Sequence, residues 1–136
     1  MIDTLSNELR GKFKLGGVAP TANPFFYNPK EPISFTKFCI GSFLVIDTES
    51  DLRFDSNLSL KEDYDFTLQH IQKYGGVARF NYVLANYQHY SNKGGVVGFR
   101  TTETEQHNIR YLKDKWKNLI KDNPRRPNEI LLNVPK

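Results

Sequence analysis

Gly75-Gly76 separates two kinds of periodicity, and this junction constrains the chain more than any other feature. Upstream, Tyr64, Leu68 and Ile71 recur at the i, i+4, i+7 spacing of a helix face. Downstream, Val77–His89 is rich in β-branched and aromatic residues and reads as a strand, with a break near Phe80-Asn81. Glycine takes the left-handed conformation cheaply, so the pair stops the helix. A helix joined to a strand by a tight turn points to an α/β layer rather than a helical bundle or a β-sandwich.

The start of that helix is marked as well. Ser59-Leu60-Lys61-Glu62 fits the S-x-x-E capping box, and Thr102-Glu103-Thr104-Glu105 repeats the signal ahead of Ile109, Leu112, Trp116, Leu119 and Ile120. Asn123-Pro124 is expected to end this second helix, and Glu129–Val134 to add a last short strand. Phe35–Ile46 is the most apolar stretch and reads as one or two buried strands, with Gly41 at a bulge or at a close approach. Asp47–Ser59 reads as polar loop, and Asn92–Gly98 as a glycine-rich one. The first 35 residues, cut by Gly11, Gly16, Gly17 and four prolines, read as irregular apart from a short helix near Thr4–Leu9.

With 136 residues, the chain is expected to form a single domain. Hydrophobic residues make up 38% and charged residues 25%, which excludes an intrinsically disordered chain. No apolar run approaches the roughly 20 residues of a membrane helix, and the first residues lack a signal peptide's apolar centre. Cys39 is the only cysteine, which excludes an intramolecular disulfide and multi-cysteine metal sites, and the expected setting is cytoplasmic. The formal charge of +4 permits an anionic partner without requiring one.

Glu62, Asp63 and Asp65 form the densest acidic cluster, just after Asp51 and Asp55. Acids at a helix N-terminus are favoured by the macrodipole. The same carboxylates suit a general base or a sugar or metal contact, and Glu62 and Asp63 project ~100° apart, so that one caps while the other faces a cleft. His89, at a strand end before a glycine-rich loop, is either a hydrogen-bonded surface histidine or a ligand for a divalent cation. Lys93-Gly94-Gly95 is either a flexible turn or a phosphate approach, and it is not a Walker A loop. His70 and His107 lie on helices with solvent-like neighbours and are given no role. Lys113, Lys115, Lys117 and Lys121, with Arg125 and Arg126, make either a solvated face or a phosphate-backbone surface. Phe25, Phe26 and Tyr27 make either local core or a base-stacking platform.

Taken together, Leu60–His70 (LKEDYDFTLQH), Tyr74–Asn81 (YGGVARFN), His89–Gly95 (HYSNKGG) and Asn123–Glu129 (NPRRPNE) resemble the GT-A-type glycosyltransferases associated with TET/base-J dioxygenases. The resemblance spans residues 16–134, leaving 1–15 as an extension. It implies a partial GT-A-like mixed sheet with two main helices. It also implies transfer of a sugar from a nucleotide sugar, such as a UDP-sugar, to a hydroxymethylated base in DNA, in a phage or mobile-element context. By the same likeness Asp63, with Glu62 beside it, is the catalytic base or acceptor contact. Gly41 lies near the acceptor, His89 is a ligand for Mn²⁺ or Mg²⁺, and Lys93 with Gly94 steadies the departing diphosphate.

One element of that family's pattern is missing. Its nucleotide-binding half ends in a D-x-D motif, and the acids upstream of Gly41 are only Asp3, Glu8 and Glu31. Asp47-Thr48-Glu49 follows the glycine, and Asp63-Tyr64-Asp65 overlaps the x-E-D position. The chain is therefore expected to match the C-terminal, acceptor-side half, inactive alone and completed by a partner chain or a second copy. The rival expectations are a non-catalytic DNA- or protein-binding module, and a metal-dependent nuclease built on Asp51, Asp55, Glu62 and Asp63.

Overall fold

The computed structural model describes residues 12–86 and 101–135, together with Asp3, Ser6, Asn7 and Leu9, which are helical. Strands β1 (Leu15–Ala19), β2 (Ile33–Ser34) and β3 (Leu44–Ile46) precede helix α1 (Glu62–Tyr74) and strand β4 (Ala78–Leu84). Helix α2 (Thr102–Trp116) and strands β5 (Ile120–Asp122) and β6 (Ile130–Leu132) follow. The first four strands form one mixed sheet in the order β2-β4-β1-β3, and β5 and β6 pair separately as an antiparallel hairpin. The α/β class with two main helices is thus observed.

At the sheet centre β1 and β4 are parallel, with Gly16 opposite Ala78 and Gly17 opposite Arg79. The short strands β2 and β3 flank them in antiparallel register and form the sheet edges. β1 is wholly buried, although the glycine-rich first 35 residues suggested no strand. The reason is steric. A Cβ on Gly17 would lie 3.2 Å from Cys39 Cβ, so the glycine lets the segment after β2 close over the strand.

Of the expected Phe35–Ile46 strand only Leu44–Ile46 is extended in the sheet. The preceding residues form a loop because their polar groups are claimed from outside the ladder. Val77 N–H donates to the Phe35 carbonyl, and Cys39 exchanges hydrogen bonds with Thr67.

Both helix starts differ from the expected capping boxes. α1 begins at Glu62 after Lys61, a left-handed residue with φ 60°, and no side chain caps it. The Ser59 hydroxyl instead accepts from Asn108 Nδ2. α2 is capped one residue early, by Thr101, whose hydroxyl accepts the Thr104 N–H. Glu105 is drawn away from a capping role to pair with Lys61. The α1 stop is as expected: Gly75 has φ 85° and its N–H bonds to the Ile71 carbonyl. α2 ends at Trp116 rather than at Asn123-Pro124, because the chain turns at Lys117 to bring Ile120 opposite Leu132.

α1 is sandwiched between two apolar clusters. Phe66 packs with Leu15, Cys39 and Val77 on the sheet side, joined by Ile71. Leu68 packs with Leu58, Ile109, Leu112, Trp116, Ile120 and Ile130 on the α2 side, joined by Tyr64. Ile71 therefore faces a different cluster from Tyr64 and Leu68, and the single-face reading of these three residues does not hold. Leu9 and Phe13 cover the opposite face of the sheet at Ala78.

Candidate functional site

The amino end of α1 is fixed from behind by α2. Lys61 Nζ pairs with Glu105 Oε2 at 2.7 Å, both side chains being buried, and the Leu60 N–H donates to Asn108 Oδ1 at 3.2 Å. These contacts hold Lys61 in its left-handed conformation and set the direction of the next two residues, Glu62 and Asp63. Because Gly75–Val77 turns the chain straight from α1 into β4, the two elements run antiparallel. The amino end of α1 is therefore the one nearer the carboxyl ends of the parallel strands, where open α/β sheets place ligands.

Asp63 meets Gly41 there. Asp63 Oδ2 accepts the Gly41 N–H at 2.9 Å, and Oδ1 accepts the Tyr64 N–H at 3.0 Å. Burial raises the Asp63 carboxyl from its ordinary 3.8 to about 6, the Gly41 N–H opposes this, and the neighbouring Glu62 charge adds to it. Glu62 is half-buried beside it. The loop carrying Gly41 is strapped down at three more points. Arg79 Nη1 donates to the Phe38 carbonyl at 3.2 Å, Thr67 Oγ1 donates to the Cys39 carbonyl at 3.3 Å, and the Phe38 ring stacks on Tyr64 with centroids 4.0 Å apart. Burial pushes the Cys39 thiol up to about 12, so it stays protonated and is no nucleophile at neutral pH.

Of the residues singled out from the sequence, Gly41, Glu62 and Asp63 are brought together. His89, Lys93 and Gly94 lie outside the described residues. Asp65, one helix position past Tyr64, turns into the core. It accepts from Trp116 Nε1 at 2.8 Å and Gln69 Nε2 at 2.6 Å, and Lys115 Nζ lies 2.7 Å away. The carboxylates suggested for a nuclease do not converge: Asp51 is held by Lys73 and Tyr74, and Asp55 by Lys115, Tyr111 and Asn57. Lys115 lowers the Asp55 pKa. Among the described residues no group of three or more His, Cys, Asp or Glu side chains could hold a metal ion. These residues by themselves do not assemble a site for Mn²⁺ or Mg²⁺.

The basic stripe of α2 is partly paired. Lys113 pairs with Asp122 at 2.6 Å and Lys115 with Asp55 at 2.8 Å, while Lys117, Lys121 and Arg125 are exposed. Phe25 and Tyr27 are 84% and 50% exposed, so they are not local core. Asn23 caps their short 3₁₀ turn (Pro24–Phe26), and the Asn28 N–H ties it to the Asn81 carbonyl on β4.

His70 is fully buried, against the solvent-facing position expected for it. Its Nδ1–H donates to the Phe66 carbonyl at 2.9 Å, so Nε2 accepts the Ser50 hydroxyl at 2.8 Å. Burial lowers its pKa. Arg79 and Asn81 also escaped notice, although two polar residues alternating inside the apolar run ARFNYVL were the available signal.

No helix among the described residues is long and apolar enough to cross a membrane. No protein-family model, curated protein or solved structure matches the chain.

Proposed function

We propose that the chain is the acceptor side of a GT-A-type glycosyltransferase that moves a sugar from a nucleotide sugar, such as a UDP-sugar, to a hydroxymethylated base in DNA, with Asp63 as its base. The observation that carries this reading is the Asp63 carboxylate, held at the mouth of α1 by the Gly41 N–H and raised to about 6. A carboxylate with that pKa is ionised at pH 7 yet basic enough to take a proton as a hydroxyl attacks. The acceptor oxygen would form its bond to the anomeric carbon, its proton would pass to Asp63, and the bond to the nucleotide diphosphate would break with the electron pair leaving on phosphate. Glu62 raises the basicity of Asp63 through its charge. The resemblance assigns Mn²⁺ or Mg²⁺ with His89, Lys93 and Gly94 to the diphosphate, and a D-x-D half supplied by a partner chain to the donor.

The experiment is a transfer assay. The chain is incubated, alone and together with a chain that supplies the D-x-D half, with a panel of UDP-sugars, with and without Mn²⁺, and an oligonucleotide containing hydroxymethylcytosine, and the product is read by mass spectrometry. Asp63→Asn keeps an acceptor for the Gly41 N–H but removes the base. The reading requires a sugar adduct with the native chain that is lost in Asp63→Asn. An adduct that survives the substitution removes Asp63 from the chemistry.

A second reading, a DNA- or protein-binding module without catalysis, is favoured by the exposed Phe25 and Tyr27 on a capped turn. In that case the oligonucleotide binds with a steep salt dependence, Phe25→Ala weakens it, and no sugar is transferred.

A further inference from the structure

The net positive charge of the chain is confined to one end of its sequence. Residues 113–136 hold seven Lys and Arg against three Asp and Glu, whereas residues 1–112 hold twelve of each, so the whole excess of +4 falls in the last stretch. An asymmetry of this kind marks a surface for an anionic partner. The fold sorts these charges further. Lys113 and Lys115 are taken by Asp122, Asp55 and Asp65. Lys117, Lys121 and Arg125 are exposed, and none of them takes part in an ion pair among the described residues.

The β5–β6 hairpin gives the remaining cations a common side. Ile120 and Ile130 are buried against Ile109, Leu112 and Trp116 of α2, and Asp122 on the same face pairs with Lys113. Lys121 stands opposite Leu131, so these two point to the reverse face, away from α2. The turn that follows carries Arg125 and Arg126, and the chain from Lys121 to Arg125 spans no more than about 14 Å. This turn is held in place. The Arg125 N–H donates to Asn123 Oδ1 at 3.0 Å, the Arg126 N–H to the Asn123 carbonyl at 3.2 Å, and the Glu129 N–H to the Arg126 carbonyl at 3.0 Å. Gln106 Nε2 clips it to α2, donating to the Pro127 carbonyl and to Asn128 Oδ1, both at 3.1 Å. Arg126 meets only Glu129 of its own turn, at 3.3 Å, an exposed pair of little strength that a phosphate can displace. The turn also lies on the side of the candidate site: Gln106 follows Glu105, the partner of Lys61, and Lys61 leads directly into Glu62 and Asp63.

We propose that Lys121, Arg125 and Arg126 form a contact surface for the phosphate backbone of duplex DNA, along the outer face of the β5–β6 hairpin and its turn. The forked donors of arginine match phosphate oxygens, and a turn already held by its own hydrogen bonds loses little freedom on binding. A membrane surface fits less well, because Leu131 is the only exposed large apolar side chain among the described residues of the hairpin. The surface says where the acceptor DNA lies, and it rests on the proposed function only for the choice of DNA over another nucleic acid.

The test is the fluorescence anisotropy of a labelled DNA duplex titrated with the chain at salt concentrations from about 50 to 200 mM. Each cation that neutralises a phosphate contributes about 0.9 to the slope of log affinity against log salt. Lys121→Ala and Arg125→Ala should each reduce the slope by about that amount and weaken binding roughly fivefold to tenfold at about 0.1 M salt. Glu129→Gln frees Arg126 and should tighten binding. Lys12→Ala removes an exposed cation ahead of β1 and should leave both slope and affinity as they are. Lys12, Lys121 and Arg125 are all exposed, so these substitutions leave the core intact. No binding at the lowest salt overturns the surface, and so does a loss in Lys12→Ala equal to that in Lys121→Ala, which is attraction by net charge alone. Tighter binding to phosphatidylserine vesicles, or to RNA of the same sequence, overturns it as well. The transfer assay separates this surface from the proposed activity. Binding that depends on Lys121 and Arg125 without a sugar adduct upholds the surface and sinks only the transfer reading. An adduct formed equally well by the chain carrying both Lys121→Ala and Arg125→Ala does the reverse.

Discussion

Asp63 Oδ2 accepts the backbone N–H of Gly41 at 2.9 Å across 22 positions of sequence, and this bond joins the first turn of α1 to the loop that covers β1. It stabilises the ionised carboxylate, yet burial outweighs it, and the net shift is upward from 3.8 to about 6. The folded chain therefore holds the Asp63 proton more tightly than the unfolded chain does. Stability from this group is complete below pH 4 and is lost as pH rises through 6, by about 3 kcal/mol at most. Asp63→Asn should remove that loss and raise the denaturant midpoint at pH 7, with no gain at pH 4. His70 acts with the opposite sign: its lowered pKa costs stability as pH falls below 6.5, so the two chains are compared at matched pH. A mutant no more stable than the native chain at pH 7 contradicts the assignment.

The buried Asp65 leads to a second expectation. Its carboxylate is wholly enclosed and its positive partner is Lys115, a third of whose side chain is exposed. Lys115→Met leaves Asp65 charged against Trp116 Nε1 and Gln69 Nε2 alone. Breaking a buried pair typically costs about 3–5 kcal/mol, and the solvent reaching Lys115 reduces this to roughly 2 kcal/mol. Adding Asp65→Asn should recover much of the loss, because the neutral amide still accepts the indole N–H. Urea unfolding of the two single mutants and the double mutant measures the coupling. Additive losses would mean that the pair contributes nothing as a pair.

These contacts mark where the sequence was legible. The presence of the two helices, the Gly75 stop, β4 and β6 follow from spacing and from local backbone preference, which act within a few residues. The helix starts were displaced because Lys61 and Asn108 answer to partners on the other helix, a contact between positions 61 and 105 that no capping pattern contains. β1 was invisible for a related reason. Its glycines weaken any strand propensity, and their value lies in the approach of Cys39, which is set by the tertiary fold. Glu62 and Asp63 stood out as an acidic cluster and Gly41 as a bend or close approach, and the motif resemblance added their expected roles, whereas Arg79 was hidden because a lone charge in an apolar strand carries meaning only once its acceptors are known.

Gly76, Gly17 and Gly41 should respond differently to alanine, and the order tests both packing and site. A Cβ on Gly76 would lie 2.8 Å from Phe13 Cε1 and 2.9 Å from the Phe35 carbonyl oxygen, which is backbone and cannot swing aside. On Gly17 the nearest atom is Cys39 Cβ at 3.2 Å. On Gly41 it is Asp63 Oδ2 at 3.4 Å, an ordinary contact, and Gly41 has no positive φ to forbid a side chain. Overpacking of this kind costs about 1–3 kcal/mol. Gly76→Ala should reach or pass the upper end, Gly17→Ala should fall within it, and Gly41→Ala should stay within about 0.5 kcal/mol of the native chain. The Gly41 methyl nonetheless sits against the carboxylate and shields it from an approaching hydroxyl. Urea unfolding paired with the transfer assay should thus find Gly41→Ala stable but poor in transfer. If Gly41→Ala unfolds as readily as Gly76→Ala, the glycine serves packing and the acceptor role falls away.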